Sequence, residues 1–480
     1  MEIFLFIRLI FLILSVAAAS FVFPVVTAFC YGEFSVLPAF LVPGIATLAA
    51  GAALLFCSKK SKVKFSTRSA FSFVALSWIS ISLWGTLPLI LSGASRSFTA
   101  AFFESVSGFT TTGATVFDDV ESLPHAVNMW RCEMHWLGGM GIIALTVALL
   151  PLLGTGGFQL VKNESTGPDK GKITPKMTDT AKVLWFLYIG FTAAQTAALK
   201  IAGLSLFDSI CVAFSSLGTG GFSVLNASIS GYHSAAVEII CTVFMFLAGV
   251  NFSLYFYLVS GKFEEVRKNS ELKAYISIFV FFALMITLIL LPRFGFAKSL
   301  RLSSFQVTSV MTTTGFYTAD YMAWPPAAQF FIFTLLFIGG SSGSTAGGFK
   351  VVRWVVLAKQ AKNEMLRMLH PHGVFSISVD GNSGRKDLVF NVAAFTFVYF
   401  ALVFVSTLIS TLCGLDLFTG FSASLSMISN TGATFGTLGA TGTYGAISPF
   451  LKTWFCFVMI AGRLELYNLI IFFFPDYWRK

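Results

Sequence analysis

Apolar runs long enough to cross a bilayer as helices, roughly 20 residues each, recur along this chain and leave few folds open to it. They include Ile3–Cys30, Phe34–Cys57, Phe71–Leu91, Val183–Ile201, Ala274–Leu291 and Leu388–Leu412. Ordinary globular domains carry about 25% charged residues. These 480 residues carry 11%, against 56% hydrophobic and 55 phenylalanines. The expected fold class is therefore an all-α polytopic membrane protein, of about ten spans by the length criterion. The small residues of SVAAAS suit signal cleavage, but the first run continues to Cys30 and begins with Glu2, so it reads as a retained first helix.

The formal charge of +10 raises the question of a nucleic-acid partner, and the positions of the charges answer it. Basic residues gather between hydrophobic hairpins, in SKKSKVKFSTR (58–68), VKNESTGPDKGKITPKM (161–177), SGKFEEVRKNSELK (260–273), a long stretch from Lys359 to Lys386, and the terminal WRK. Loops poorer in Lys and Arg alternate with them, which is the positive-inside pattern. It puts both termini and all the basic loops in the cytoplasm, and makes the charge a topology signal rather than a binding patch. Seven scattered cysteines form no C-x-x-C, and the one close histidine pair, His370 and His372, lacks companion ligands. Neither a disulfide framework nor a metal site held by histidine or cysteine is expected.

The chain repeats itself four times. ESVSGFTTTGAT (104–115), CVAFSSLGTGGFS (211–223), VTSVMTTTGFYT (307–318) and SLSMISNTGATFG (424–436) align on Gly113, Gly221, Gly315 and Gly432. A tetrad of apolar, apolar, small and glycine follows each: WLGG (136–139), FLAG (246–249), FIGG (337–340) and MIAG (459–462). Before each turn lies a segment too short to span a bilayer but long enough for a re-entrant helix. The unit thus reads as helix, short re-entrant helix, polar turn, helix, with every turn on the outer side.

Non-helical backbone at membrane depth survives only where protein buries it or water lines it. Four equivalent turns in one chain can surround a single axis, each offering carbonyls that replace a cation's hydration shell. Glycine suits such a turn because it accepts positive φ and brings no side chain to the axis. Isolated Gly/Thr turns between helices are common and carry no such meaning; four in register do.

On these residues the chain resembles the Trk/Ktr/HKT superfamily of potassium-uptake proteins, specifically its bacterial TrkH type. The likeness spans nearly the whole chain. It rests on the four turns, on HWLGGMGII (135–143), on IGGSSGSTAGGFKVVR (338–353), on AGRLELYNL (461–469), and on the extra hydrophobic pair over residues 3 to 57. It implies four membrane–pore–membrane units around one K+ path in a bacterial cytoplasmic (inner) membrane. The divisions would be an N-terminal pair (1–68) and repeats at 69–160, 181–260, 272–360 and 388–476. The selectivity filter then falls on Thr111, Thr112, Gly113, Gly220, Gly221, Thr314, Gly315, Asn430, Thr431 and Gly432. Strands two and four read GTGG and SNTG, so coordination need not be equivalent around the axis.

Within the last span of repeat three stands GGSSGSTAGG: Gly339, Gly340, Ser341, Ser342, Gly343, Ser344, Thr345, Ala346, Gly347 and Gly348. Each helix-interior glycine costs about 1 kcal/mol, so a break is expected. The stretch does not satisfy the phosphate-loop pattern G-x-x-x-x-G-K-[ST]. The resemblance makes it an intramembrane gate; a helix break that only serves close packing is the other reading. Arg463, an ionisable side chain in the last apolar span, would sit below the filter beside that loop, or else snorkel to an interface. Glu104, Asp118, Asp119, Asp208, Asp320 and Asp416 lie near the outer turns and would raise the cation concentration there.

The resemblance further implies a homodimer on a cytosolic ring of TrkA-type subunits, with ATP or NADH bound by that partner and not by this chain. A secondary transporter coupling a cation or solute to sodium or protons remains the alternative; such proteins often carry inverted repeats, whereas these four share one orientation. No enzyme is expected, since H-E-x-x-H and paired intramembrane aspartates are missing.

Overall fold

The computed structural model describes residues 2–56, 67–141, 177–373, 375, 377–379, 382–383 and 386–479. Most of the basic loops 58–68 and 161–177, part of the stretch from Lys359 to Lys386, and the end of repeat one from residue 142 lie outside the described residues. Helices dominate the rest. One two-residue hairpin, Ser378–Val379 with Asn382–Ser383, is the exception among the described residues.

An N-terminal unit comprises α1 (Glu2–Ser20), α2 (Val22–Tyr31) and α3 (Leu37–Phe56). Repeat one follows with α4 (Thr67–Leu91), α5 (Phe98–Phe109) and α6 (His125–Gly139). Repeat two holds α7 (Met177–Ile201), α8 (Leu206–Leu217), α9 (Ala235–Ala248) and α10 (Phe252–Val259). Repeat three holds α11 (Ser270–Phe294), α12 (Phe296–Met311), α13 (Pro326–Leu335) and the amphipathic α14 (Val351–Leu369). Repeat four holds α15 (Lys386–Leu412), α16 (Leu417–Ser429), α17 (Pro449–Arg463) and the short α18 (Tyr467–Ile470).

Among the described residues six spans are long and apolar enough to cross a membrane, and two bent pairs raise the number to eight. These spans are dressed for lipid. Along α15, Phe390, Phe397, Phe404, Leu408 and Leu412 are all exposed, a stripe at helical spacing that would aggregate in water. Conversely the centre of the molecule is rich in buried serine and threonine.

Each repeat is built alike. Its first long helix packs along its short one: α4 on α5, α7 on α8, α11 on α12 and α15 on α16. The short helices have 12, 12, 16 and 13 residues. At about 1.5 Å per residue they fall short of a ~30 Å hydrocarbon core, so they enter and stop. Three begin at a side-chain cap, Ser97, Ser205 or Asp416, which accepts a backbone N–H of the first turn.

The closing helices wedge between neighbours. α6 packs against its own α5 and against α8 of the next repeat; α9 packs against α8 and α12, and α17 against α16 and α5. The chain order therefore runs around a circle, and repeat four closes on repeat one. Sequence alone breaks a closing helix only in repeat three, but the structure interrupts it more widely. α6 ends within WLGG, α9 stops at FLAG and resumes as α10 at 90°, α13 stops before FIGG, and α17 turns by 119° just beyond MIAG. The tetrad glycines bring these helices close to the short ones. A Cβ on Gly138 would lie 2.0 Å from the Phe109 carbonyl oxygen, and one on Gly462 would lie 2.1 Å from that of Ile428. These glycines let the short helices' last turns press against the closing helices.

Candidate functional site: a ring of four strands

Just past each short helix the backbone leaves helical geometry through a left-handed residue, and the four turns share this pattern. Two places before each aligned glycine the chain is left-handed: Thr111, Thr219, Thr313 and Asn430 have φ of +54°, +53°, +56° and +55°. The glycines follow at φ of +77° (Gly113), +82° (Gly221), +83° (Gly315) and +71° (Gly432). Asparagine enters this region readily, but a β-branched residue there costs about 1–3 kcal/mol and persists only when its surroundings enforce it. Enforcement is visible in the backbone. The N–H just before each glycine donates to a serine carbonyl five residues earlier: Thr112 to Ser107 (2.8 Å), Gly220 to Ser215 (2.9 Å), Thr314 to Ser309 (2.8 Å) and Thr431 to Ser426 (3.0 Å).

The strands meet in a closed ring. A Cβ on Gly113 would stand 1.9 Å from the Gly220 carbonyl oxygen, and one on Gly221 would stand 2.0 Å from that of Thr314. The series continues from Gly315 to the Thr431 oxygen (2.3 Å) and from Gly432 to the Thr112 oxygen (2.3 Å). Each glycine thus abuts the carbonyl that precedes the next repeat's glycine, and no other residue type fits. Asn430 adds a direct tie, its Nδ2 donating to Thr112 Oγ1 (3.1 Å) and to the Met459 carbonyl (2.9 Å). The C-terminal ends of α5, α8, α12 and α16 all run into this ring. A helix C-terminus carries about half a negative charge, so four of them favour a cation at the centre.

All ten sequence-derived ring residues come together here. Thr219 and Thr313, the left-handed residues of strands two and three, belong with them and were missed. So was the serine that stands six places before every aligned glycine.

Beneath strands three and four lies the loop from Gly339 to Gly348. Its ends are zipped, with the Gly339 N–H donating to Phe349 O (2.9 Å) and the Val351 N–H to Gly340 O (3.2 Å). The Gly347 N–H donates to Thr313 Oγ1 at 2.7 Å, and a Cβ on Gly347 would stand 2.6 Å from the Ser429 carbonyl oxygen. Repeat two holds the other side: Ser341 N–H donates to Gly249 O (2.9 Å), Thr345 Oγ1 to Ala248 O (3.2 Å), and Phe252 N–H to Gly343 O (3.0 Å). The Ala248 and Gly249 carbonyls stand at the break between α9 and α10, where helix-end carbonyls need donors.

Lys350, just past this loop, donates from Nζ to Ala346 O within it, and two further charged residues reach it from other helices. Arg463 reaches it from α17, donating to Thr345 O (3.0 Å), Gly138 O (2.6 Å) and Gly139 O (3.2 Å). It bridges repeats three and one, and does not snorkel. Glu271 accepts the N–H groups of Ser342 (2.7 Å) and Val352 (3.1 Å). The sequence placed Glu271 in the basic loop 260–273; the structure buries it against the unwound segment.

The acidic residues at the outer turns divide. Asp118, Asp119, Asp320 and Asp416 are exposed, and hydrogen bonding by the Asn226 amide holds the Asp119 carboxyl below its usual range. Glu104 is different and corrects the expectation. It is fully buried and paired with Arg131 Nε at 2.9 Å, and it also accepts from Thr115 Oγ1 (2.9 Å) and Val116 N–H (2.9 Å). It anchors the backbone beyond Gly113 and adds no charge to the mouth.

Four repeats of transmembrane and re-entrant helices, delivering four strands to one ring, define a polytopic membrane protein of the transport class. The TrkH family model, described as a cation transport protein, matches residues 36–296 and 293–480. A Trk system potassium uptake protein TrkH of Halomonas elongata is 35% identical over 487 residues, with 100% of both chains covered. The protein of that name from Escherichia coli K12 is 35% identical over 480 residues, covering 98% of this chain and 99% of the relative. The crystal structure of the potassium transporter TrkH from Vibrio parahaemolyticus superposes with a TM-score of 0.87 at 33% identity, over the full length of both chains. This chain belongs to the TrkH family of cation transport proteins.

Proposed function

We propose that this protein takes up K+ across a bacterial cytoplasmic membrane by a gated, channel-like route. The ion sheds water at the outer face and passes through the ring, where the carbonyls of Thr111, Thr112, Gly113, Gly220, Gly221, Thr314, Gly315, Asn430, Thr431 and Gly432 replace its hydration shell. The observation that carries this reading is the closed circuit of glycine against carbonyl, in which all four repeats contribute the same backbone conformation. The names of the relatives, potassium uptake proteins along their whole length, point to the ion.

In this reading the loop from Gly339 to Gly348 is the gate, and the structure is its closed form. Its hydroxyls and glycines let it change shape, while Arg463 holds it up and places a positive charge where a resting cation would otherwise wait. The termini and basic loops face the cytoplasm. The protein works as a homodimer on a cytosolic ring of TrkA-type subunits, and those subunits bind the nucleotide, ATP or NADH.

Rubidium influx into liposomes holding this protein alone, with no organic solute present, tests the reading. Influx that potassium competes away is expected. Influx that requires a second solute or a proton gradient would instead favour a coupled transporter.

A further inference from the structure

Strand two lacks a brace that the other three possess. In strands one, three and four, the residues three and one places before the aligned glycine carry hydroxyls bonded to each other. These pairs are Thr110 with Thr112 (2.8 Å), Thr312 with Thr314 (2.8 Å) and Ser429 with Thr431 (2.7 Å). In strand two the same places hold Gly218 and Gly220, which have nothing to pair. Two glycines flanking a strained threonine should leave this quarter of the ring the loosest. Yet Thr219 and Gly221 keep the left-handed φ values of their counterparts.

The space freed by the missing side chains is filled from another repeat. A Cβ on Gly220 would stand 2.3 Å from both Cγ and Nδ1 of His135, and one on Gly218 would stand 2.4 Å from the His135 carbonyl oxygen. His135 comes from α6 of repeat one and is fully buried. Its Nδ1 accepts the N–H of Phe222, the residue after the ring glycine, at 3.3 Å. That bond assigns the hydrogen to Nε2 in the neutral ring. The imidazole also lies along the Phe222 ring, with centroids 4.2 Å apart and planes 18° apart. One turn earlier on the same helix, the Arg131 guanidinium sits 4.4 Å from the Phe222 centroid, and its Nη1 donates to Ser223 O at 3.2 Å.

We propose that His135 is a positioning residue for ion selection. Its ring replaces the absent hydroxyl pair, clasps strand two through Phe222, and fixes the Gly220 carbonyl on which Gly113 of strand one closes. This inference rests on reading the ring as the K+ filter. The paired glycines and the histidine are then two halves of one substitution: a side chain at Gly220 and a ring at position 135 exclude each other.

The experiment is the K+/Na+ permeability ratio from reversal potentials of the full-length protein in bilayers. His135→Leu keeps bulk but removes the acceptor, and should lower the ratio about tenfold, the worth of one buried hydrogen bond. His135→Gln retains an acceptor and should stay within about threefold of the wild type. Gly220→Ser alone should also lower the ratio. Adding His135→Ala to Gly220→Ser removes the clash, so it should recover the part of the loss that the clash adds, though not the part owed to the clasp. An unchanged ratio in His135→Leu, or a double variant no better than Gly220→Ser, overturns the proposal; the Gly220 pair decides the matter should His135→Leu not assemble. A wild type that fails to discriminate at all sinks the filter reading itself, a separate outcome.

Discussion

The ring and the unwound loop beneath it are made of the same residue types, glycine, serine and threonine, and are held in opposite ways. Each ring strand takes its shape mainly from its own repeat: two left-handed residues and one N–H bonded to a serine carbonyl five residues back, four times over. The loop from Gly339 to Gly348 takes its shape from elsewhere. Glu271, Arg463, Thr313 and the free carbonyls at Ala248 and Gly249 reach it from four other segments. A conformation written locally and repeated fourfold resists change. One held by a few distant side chains can be released by breaking a few bonds. In the proposed function the fixed part selects and the releasable part gates.

The strongest way to break this contrast is to disturb the ring. In Gly315→Ser the new β-carbon would stand 2.3 Å from the Thr431 carbonyl oxygen, at a φ of +83°. Strain of about 1–3 kcal/mol there should reduce K+/Na+ discrimination by on the order of a hundredfold. Reversal potentials check it, and an unchanged ratio would remove strand three from the filter. Next in size is the loop's cationic anchor. Arg463→Ala frees the Thr345 and Gly138 carbonyls and should raise basal rubidium flux about tenfold, with the K+/Na+ ratio preserved. No rise in flux would count against a gating role. The smallest effect belongs to Glu271→Gln, which keeps an acceptor but loses the charge that strengthens two N–H bonds. Basal flux should rise about threefold, again at constant selectivity. A shift in selectivity with either loop variant would show that ring and loop are not the separate parts described here.

The same contrast governs what could be read from the sequence. The fourfold repeat and its aligned glycines were legible because left-handed backbone is a local demand, and the sequence repeats the glycine that meets it. The spans were legible because lipid-facing stripes need only apolar residues at helical spacing. What stayed hidden depends on partners far along the chain. Glu104 looked like a mouth charge because Arg131, which neutralises it, lies 27 residues away. Glu271 sits among lysines in the sequence but points at a loop 71 residues on. His135 was only part of a motif until Phe222, 87 positions later, came to lie against it. The interrupted closing helices were half-hidden. Glycines in the tetrads signal close approach, but only the packed carbonyls of Phe109 and Ile428 show what approaches. The second strand joins the two classes: its glycines are plain in the sequence, and the reason they are tolerated is not.

The proposed function requires the ring of four glycine strands to distinguish K+ from Na+. The most direct test is the reversal potential of the purified protein in a planar bilayer, with K+ on one side and an equal concentration of Na+ on the other. A potential displaced strongly toward the K+ equilibrium value is expected. A reversal potential at zero would contradict it.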